Sequence, residues 1–181
     1  AKARAVMTGI NTRLAAPEIQ FILSDSEAVV LFVGKEFYDV IDQIREECPS
    51  LREIITIDGG HDTWAHYPAW RDAQNSAAPA ITPVGNDDVI QLYTSGTTGL
   101  PKGVQLTNDN YASLFEQCTT LEWSSYDAGE AVMNAMPLFH VAGVNCGVLA
   151  AAQGAKSVIL REIDPDLILK LIPEQKIAHA F

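Results

Sequence analysis

Short apolar runs that do not alternate with polar residues, each followed by a stretch at helical spacing, constrain the fold of this chain more than any other feature. Residues 28–33 are uniformly apolar and predict a strand buried on both faces, because nothing polar marks a solvent side. Phe37, Val40, Ile41 and Ile44 then recur at helical spacing until Cys48 and Pro49 end the pattern, and residues 54–57 predict a second strand closed by Asp58, Gly59 and Gly60. Before them, Pro17 sits at the first turn of an expected helix with Ile19, Ile22 and Leu23 on one side. This alternation predicts an α/β fold, a mainly parallel sheet flanked by helices.

The rhythm pauses and then resumes. Residues 76–88 shift to Ser, Ala, Pro, Gly and Asn, which marks a surface connection. Residues 89–93 predict a strand that runs into a Gly/Ser/Thr loop. A helix is expected over Asn108–Leu121, with Tyr111, Leu114, Phe115 and Cys118 inward and Asn108 as its cap. A strand at 131–135, a small-residue helix over Val141–Ala152 and a strand at 157–160 follow. Asp164 should cap a last helix that buries Leu167, Ile168, Leu171 and Ile172 and is stopped by Pro173. At the ends, residues 1–7 look like mid-helix and residues 177–181 like the start of a buried strand, so the chain reads as a piece of a longer protein. Cut surfaces of that kind predict an unpaired edge and self-association.

Composition narrows the function. A net charge of −11 with no basic cluster argues against a nucleic-acid partner. Cys48, Cys118 and Cys146 show neither disulfide nor metal-ligand spacing and fit reduced thiols in a cytoplasmic protein. The most apolar stretch, 131–152, is interrupted by Asn134, Pro137, His140 and Asn145, so no membrane span is expected.

Chemistry concentrates in residues 94–103. The hydroxyls of Thr94, Ser95, Thr97 and Thr98, the glycines Gly96, Gly99 and Gly103, and the cation Lys102 directly follow an apolar strand. Glycines let backbone N–H groups approach a polyanion, hydroxyls donate to phosphate oxygens or help hold a metal ion, and Lys102 supplies charge. Together they suit a triphosphate or pyrophosphate. The order matches neither the Walker loop nor the dinucleotide fingerprint, since Lys102 precedes Gly103 and runs into Val104 and Leu106 rather than a helix start.

The ordered string from Tyr93 through Val104 resembles the signature loop of the adenylate-forming superfamily, which includes acyl-CoA synthetases, luciferases and the adenylation domains of peptide synthetases. The segment around Gly9, Asn11 and Arg13, with Asp25 and Ser26, is similar to the region that precedes that loop. Met136, Pro137, Leu138, Phe139, His140 and Gly143 resemble the segment lining the acyl site. Asn108 departs from the family, which often has His there.

The resemblance implies a partial N-terminal AMP-binding domain over residues 1–181, with a first βα segment (1–75), a connection (76–88) and a phosphate-loop and acyl-site segment (89–181). It implies ATP, Mg2+ and CoA as cofactors and co-substrates of the parent enzyme, a small-molecule carboxylic acid as substrate, and a two-step acid–thiol ligation through an acyl-adenylate. Thr94, Ser95, Gly96, Thr97, Thr98, Gly99 and Lys102 would bind the ATP phosphates, with Thr94 a Mg2+ contact. His140 would gate the acyl site, and Gly143 would leave room for the acyl chain. The segments expected for adenine, ribose and the catalytic lysine are absent from the chain, so the chain by itself is expected to be inactive. Two alternatives stand beside the acyl-CoA ligase: a peptide-synthetase adenylation domain, and a non-catalytic scaffold subdomain that binds anions weakly.

Overall fold

In the computed structural model, which describes residues 3–94, 99–121 and 125–180, the strands form three-stranded sheets bridged by helices. Strand β1 (Met7–Gly9) lies parallel beside β5 (Asp88–Thr94), which pairs antiparallel with β6 (Lys102–Thr107). Strands β2 (Val30–Val33), β3 (Glu53–Thr56) and β4 (Ala65–His66) form a parallel sheet, as do β8 (Lys156–Ile159), β7 (Ala131–Asn134) and β9 (Ile177–Ala180), with β7 central. The architecture is α/β and mainly parallel, as expected, with the β5–β6 hairpin its antiparallel exception. No helix among the described residues is long and apolar enough to cross a membrane.

Helix α1 (Ala16–Asp25) starts where the sequence places it, with Pro17 in its first turn and Glu18 reaching back to the Ala15 N–H at 2.9 Å. Its Ile19 and Leu23 pack with Tyr38, Ile41 and Ile44 on and around α2 (Tyr38–Ile44) against Val33 and Ile54. That covers one face of the β2–β3–β4 sheet. The other face carries Val30 and Phe32, 39% and 46% exposed, with Phe32 edge-on to Tyr67 and Trp70 of α3 (Tyr67–Asp72). The expectation of a strand buried on both faces is therefore corrected: the second face of β2 stays partly exposed, met there only by the Tyr67 and Trp70 rings of α3.

Helix α4 (Asn108–Leu121) and helix α5 (Val141–Ala152) have the expected bounds. Ile90 and Leu92 of β5, Tyr111 of α4 and Val144 of α5 form a second core, and Cys146 and Ala150 of α5 pack on Val132 of β7. One helix thus serves two sheets, which its small residues allow. The cap of α4 is corrected. Thr107 Oγ1 accepts from the Asn110 N–H at 3.2 Å while the Asn110 side chain accepts from the Thr107 N–H at 2.9 Å; Asn108 instead donates to the Val84 carbonyl at 2.9 Å, tying down the connection before β5.

Further expectations fail at the ends. The helix expected over residues 1–7 is corrected: the described residues 3–6 are not helical, and Met7 opens a strand because Met7, Thr8 and Gly9 pair with Ile90, Gln91 and Leu92. Helix α6 (Pro165–Gln175) is capped by Asp164 as expected, whose carboxylate accepts from the Asp166 and Leu167 N–H groups. However, none of its residues is buried, Leu167 and Ile172 each being 39% exposed. Pro173 lies inside the helix, which runs on to Gln175 and closes at Lys176 in the left-handed conformation with φ 52°. The strand β9 exists where expected but is only half-buried.

Candidate functional site

Of the residues singled out at 94–103, Thr94 and Lys102 lie at the ends of the paired strands β5 and β6. Thr94 ends β5 and pairs directly with Lys102, the first residue of β6. Directly opposed residues share a face, so Thr94 and Lys102 continue the row of Ile90 and Leu92 opposite Leu106 and Val104. That row faces α4 and α5. Lys102 is exposed and takes part in no ion pair among the described residues, so its charge is free to meet a ligand. Gly99 has φ 111°, a conformation that L side chains rarely adopt, with open space where a Cβ would point. Its requirement for glycine is therefore conformational. Ser95, Gly96, Thr97 and Thr98 lie outside the described residues.

The second segment arrives at the same edge through two close backbone approaches. A Cβ on Gly9 would lie 2.9 Å from Phe139 Cα and 3.1 Å from the Leu138 carbonyl. Gly9 is also the β1 partner of Leu92, two residues before Thr94. Phe139 is thus packed at the carboxyl end of β1, beside β5, with His140 next to it in the chain, at the edge where open α/β sheets bind ligands. His140 is exposed and caps α5, its Nδ1 accepting from the Ala142 N–H at 3.3 Å. That bond assigns the proton of a neutral ring to Nε2, which is left to donate outward.

Gly143 is buried, and the space a side chain would need there is filled by backbone. A Cβ would meet the Pro137 carbonyl oxygen at 2.3 Å and that of Met136 at 2.6 Å. What glycine permits here is the folding of 136–140 back over the first turn of α5. Asn134, at the end of β7, locks that arrangement: only 1% exposed, it donates to the Gly143 carbonyl at 2.8 Å and accepts from the Met136 N–H at 3.2 Å. Sequence reasoning met Asn134 only as an interruption of an apolar run. A polar residue at the end of a buried strand is the signal that could have marked it as a clamp.

A third cluster also escaped the sequence. On the opposite face of β5, the Tyr93 hydroxyl donates to Asp25 Oδ2 at 2.6 Å and accepts from Gln91 Nε2 at 3.1 Å. Desolvation, and then the Asp25 carboxylate, push the Tyr93 hydroxyl well above its ordinary pKa, so it remains a donor.

Among the described residues no group of three or more His, Cys, Asp or Glu is placed to hold a metal ion. A divalent cation beside the Thr94 hydroxyl would take most of its oxygen ligands from phosphate and water, a donor set that suits Mg2+.

The profile of the AMP-binding enzyme family matches residues 1–181. A long-chain-fatty-acid–CoA ligase of Mycobacterium tuberculosis is 33% identical over 181 residues, 98% of this chain and 34% of that protein. The solved N-terminal domain of a fatty acyl-CoA ligase from the same organism, bound to an inhibitor, superposes with a TM-score of 0.83 at 30% identity, covering 97% of this chain and 43% of that one. A solved anthranilate CoA ligase in complex with anthranoyl-AMP superposes with a TM-score of 0.84 at 26% identity, covering 99% and 35%. The chain spans about a third of the length of the curated relative it matches. A family match over the whole chain, together with this identity to a named ligase, is decisive: the chain belongs to the AMP-binding enzyme family of adenylate-forming proteins.

Proposed function

We propose that the whole protein is an ATP-dependent acid–thiol ligase of the acyl-CoA synthetase kind, and that residues 89–181 carry its phosphate-binding and acyl-site segments. The observation that carries this reading is the convergence of Thr94, Lys102 and the His140-capped end of α5 on one edge of the β1–β5 sheet. In the first step a carboxylate oxygen attacks the α-phosphorus of ATP. The bond to the bridging oxygen breaks, and pyrophosphate leaves with the electron pair. In the second step a thiol, that of CoA in this reading, attacks the acyl carbonyl and AMP leaves.

Each residue has a proposed part in those steps. Thr94, Ser95, Thr97 and Thr98 would donate hydroxyls, and Gly96 and Gly99 backbone N–H groups, to the β- and γ-phosphates. Lys102 would neutralise the charge that grows on departing pyrophosphate, which is electrostatic stabilisation rather than nucleophilic catalysis. Mg2+ bound at the phosphates would add to that neutralisation. His140 would present its Nε2–H to the acid from the acyl side. Gly143 would support that segment by letting it fold back, beside the room for the acyl chain that the resemblance implies.

The test is acid-dependent exchange of labelled pyrophosphate into ATP by the full-length protein, over a panel of fatty and aromatic acids. Exchange with at least one acid is expected. Lys102→Ala should raise the KM for ATP more than that for the acid, and His140→Ala should act chiefly on the acid-dependent step. No exchange with any acid would overturn the reading. The isolated chain, lacking the rest of the active site, should give no exchange above a blank without protein. A cytoplasmic location is part of the proposal. So is self-association of the isolated chain through exposed apolar residues such as Ile163, Leu167, Leu169 and Ile172. A monomer by light scattering at low and moderate salt would refute the latter.

A further inference from the structure

The two faces of β5 do different things. The face bearing Ile90, Leu92 and Thr94 makes the core and the candidate site. The face bearing Gln91 and Tyr93 reaches across to Asp25, the last residue of α1 and 68 positions away in sequence. Tyr93 is held there by two hydrogen bonds: its hydroxyl donates to Asp25 Oδ2 at 2.6 Å and accepts from Gln91 Nε2 at 3.1 Å. Gln91 is 9% exposed, so its amide is nearly withdrawn from water and its bond to Tyr93 matters.

Gly103 completes the arrangement from the other strand of the hairpin. It is the cross-strand partner of Tyr93, and a Cβ there would lie 2.3 Å from Gln91 Nε2 and 3.1 Å from Tyr93 Cζ. The missing side chain is what lets the Gln91 amide and the Tyr93 ring lie flat over β6. This glycine sits in the phosphate-loop signature, yet its geometry serves the opposite face of the hairpin.

We propose that Asp25, Gln91, Tyr93 and Gly103 form a latch that fixes the β5–β6 hairpin to the end of α1, and that Tyr93 and Asp25 are thereby positioning residues for ATP use. The proposal rests on the function given above. Thr94 directly follows Tyr93, and Lys102 directly precedes Gly103. A hairpin free to rock about its long axis would therefore move the Thr94 hydroxyl and the Lys102 ammonium together. The charge-assisted bond from Tyr93 to Asp25 removes that freedom before any ligand arrives, and burial, with the Asp25 carboxylate, suppresses ionisation of the phenol, so the donor stays in place through the working range of pH. None of the four residues needs to touch nucleotide for this.

The test uses the full-length protein with Tyr93→Phe, Asp25→Ala, Asp25→Asn and the double variant Tyr93→Phe/Asp25→Ala. Tyr93→Phe and Asp25→Ala should each raise the KM for ATP by about five- to tenfold, with kcat and the KM for the acid little changed. Asp25→Asn keeps an acceptor oxygen and should recover most of the loss. The double variant should be no worse than either single one, because both break one device. An unchanged KM for ATP in Tyr93→Phe, or additive losses in the double variant, would overturn the proposal; a merely structural contact would lower thermal stability without that selective rise. Hydrogen exchange on the nucleotide-free protein separates this from failure of the proposed activity. Faster exchange confined to the hairpin amides in Tyr93→Phe supports the latch even if no acid promotes pyrophosphate exchange, and unchanged hairpin exchange refutes it.

Discussion

Replacing Gly143 with alanine should destabilise the chain although the position lies in a helix. Helix propensity alone favours alanine over glycine by about 1 kcal/mol. Against this, the new Cβ would sit 2.3 Å from the Pro137 carbonyl oxygen, 2.6 Å from that of Met136 and 2.7 Å from the Pro137 carbonyl carbon. These are backbone atoms, so no rotation of a side chain relieves the clash, and forcing an extra methyl into such a site costs typically about 1–3 kcal/mol. Separating the segments also stretches the buried bond from Asn134 to the Gly143 carbonyl, now 2.8 Å, at a further cost of about 1 kcal/mol. The net loss is about 1–3 kcal/mol, which for a chain of this size lowers the melting temperature by roughly 2–4 °C per kcal/mol. Gly147→Ala is the internal control. One turn along the same helix, its nearest neighbour to a new Cβ is Asn134 Nδ2 at 3.7 Å, an ordinary contact, so alanine there should stabilise by up to about 1 kcal/mol. Chemical denaturation of the three proteins decides the matter. If Gly143→Ala proves as stable as the wild type while Gly147→Ala gains, the close approach of 136–137 to α5 is not what requires glycine.

Thr107→Ala should cost about 1 kcal/mol in the same assay through loss of the reciprocal cap with Asn110, and more than Asn108→Ala does; the reverse order would restore Asn108 as the cap. Cys48, Cys118 and Cys146 are buried and their thiols are pushed above the ordinary value by desolvation, so a thiol reagent at mildly alkaline pH should label none of them until denaturant is added. Asp87 accepts from the Val84 N–H and from Arg4, which holds its carboxyl below 3.8. Its contribution to stability is therefore complete above that pH and is lost as pH falls through the lowered folded value. Asp87→Asn should flatten that acid limb of the stability profile, and an unchanged limb would show the pairing to be without effect.

Legibility in the sequence followed the range of the forces involved. Helices α4 and α5 could be bounded to the residue because apolar spacing and end signals are local. Asp164 was recognisable as a cap for the same reason. Residues 1–7 misled because Ala, Lys and Arg favour helix, whereas the pairing of Met7 with Ile90 is a contact between distant parts of the chain that overrides a weak propensity. The β2 run misled in a related way: a uniformly apolar strand says that burial is tolerated on both faces, not that anything covers them. The candidate site divides likewise. Glycines, hydroxyls and a cation after an apolar strand announced a polyanion, and that composition is readable without coordinates. The clamp of Asn134 on Gly143, the bond of Tyr93 to Asp25 and the packing of Gly9 on Phe139 each need a partner that no local pattern names. Gly103 shows the limit most sharply, since its place in a phosphate-loop string suggested one reason for glycine and the opposite face of the hairpin supplies another.

The pairing of Thr94 with Lys102 also sets the entropy of the segment between them. It closes residues 95–101, seven positions, into a ring whose ends the ladder already holds together. Closing a flexible loop of that length costs about 1.7 kcal/mol beyond a constant. The strand contacts offset that cost when the hairpin folds. Doubling the loop would add only about 0.6 kcal/mol to closure. Stability therefore places little constraint on how long this segment is, which leaves its length open to other demands.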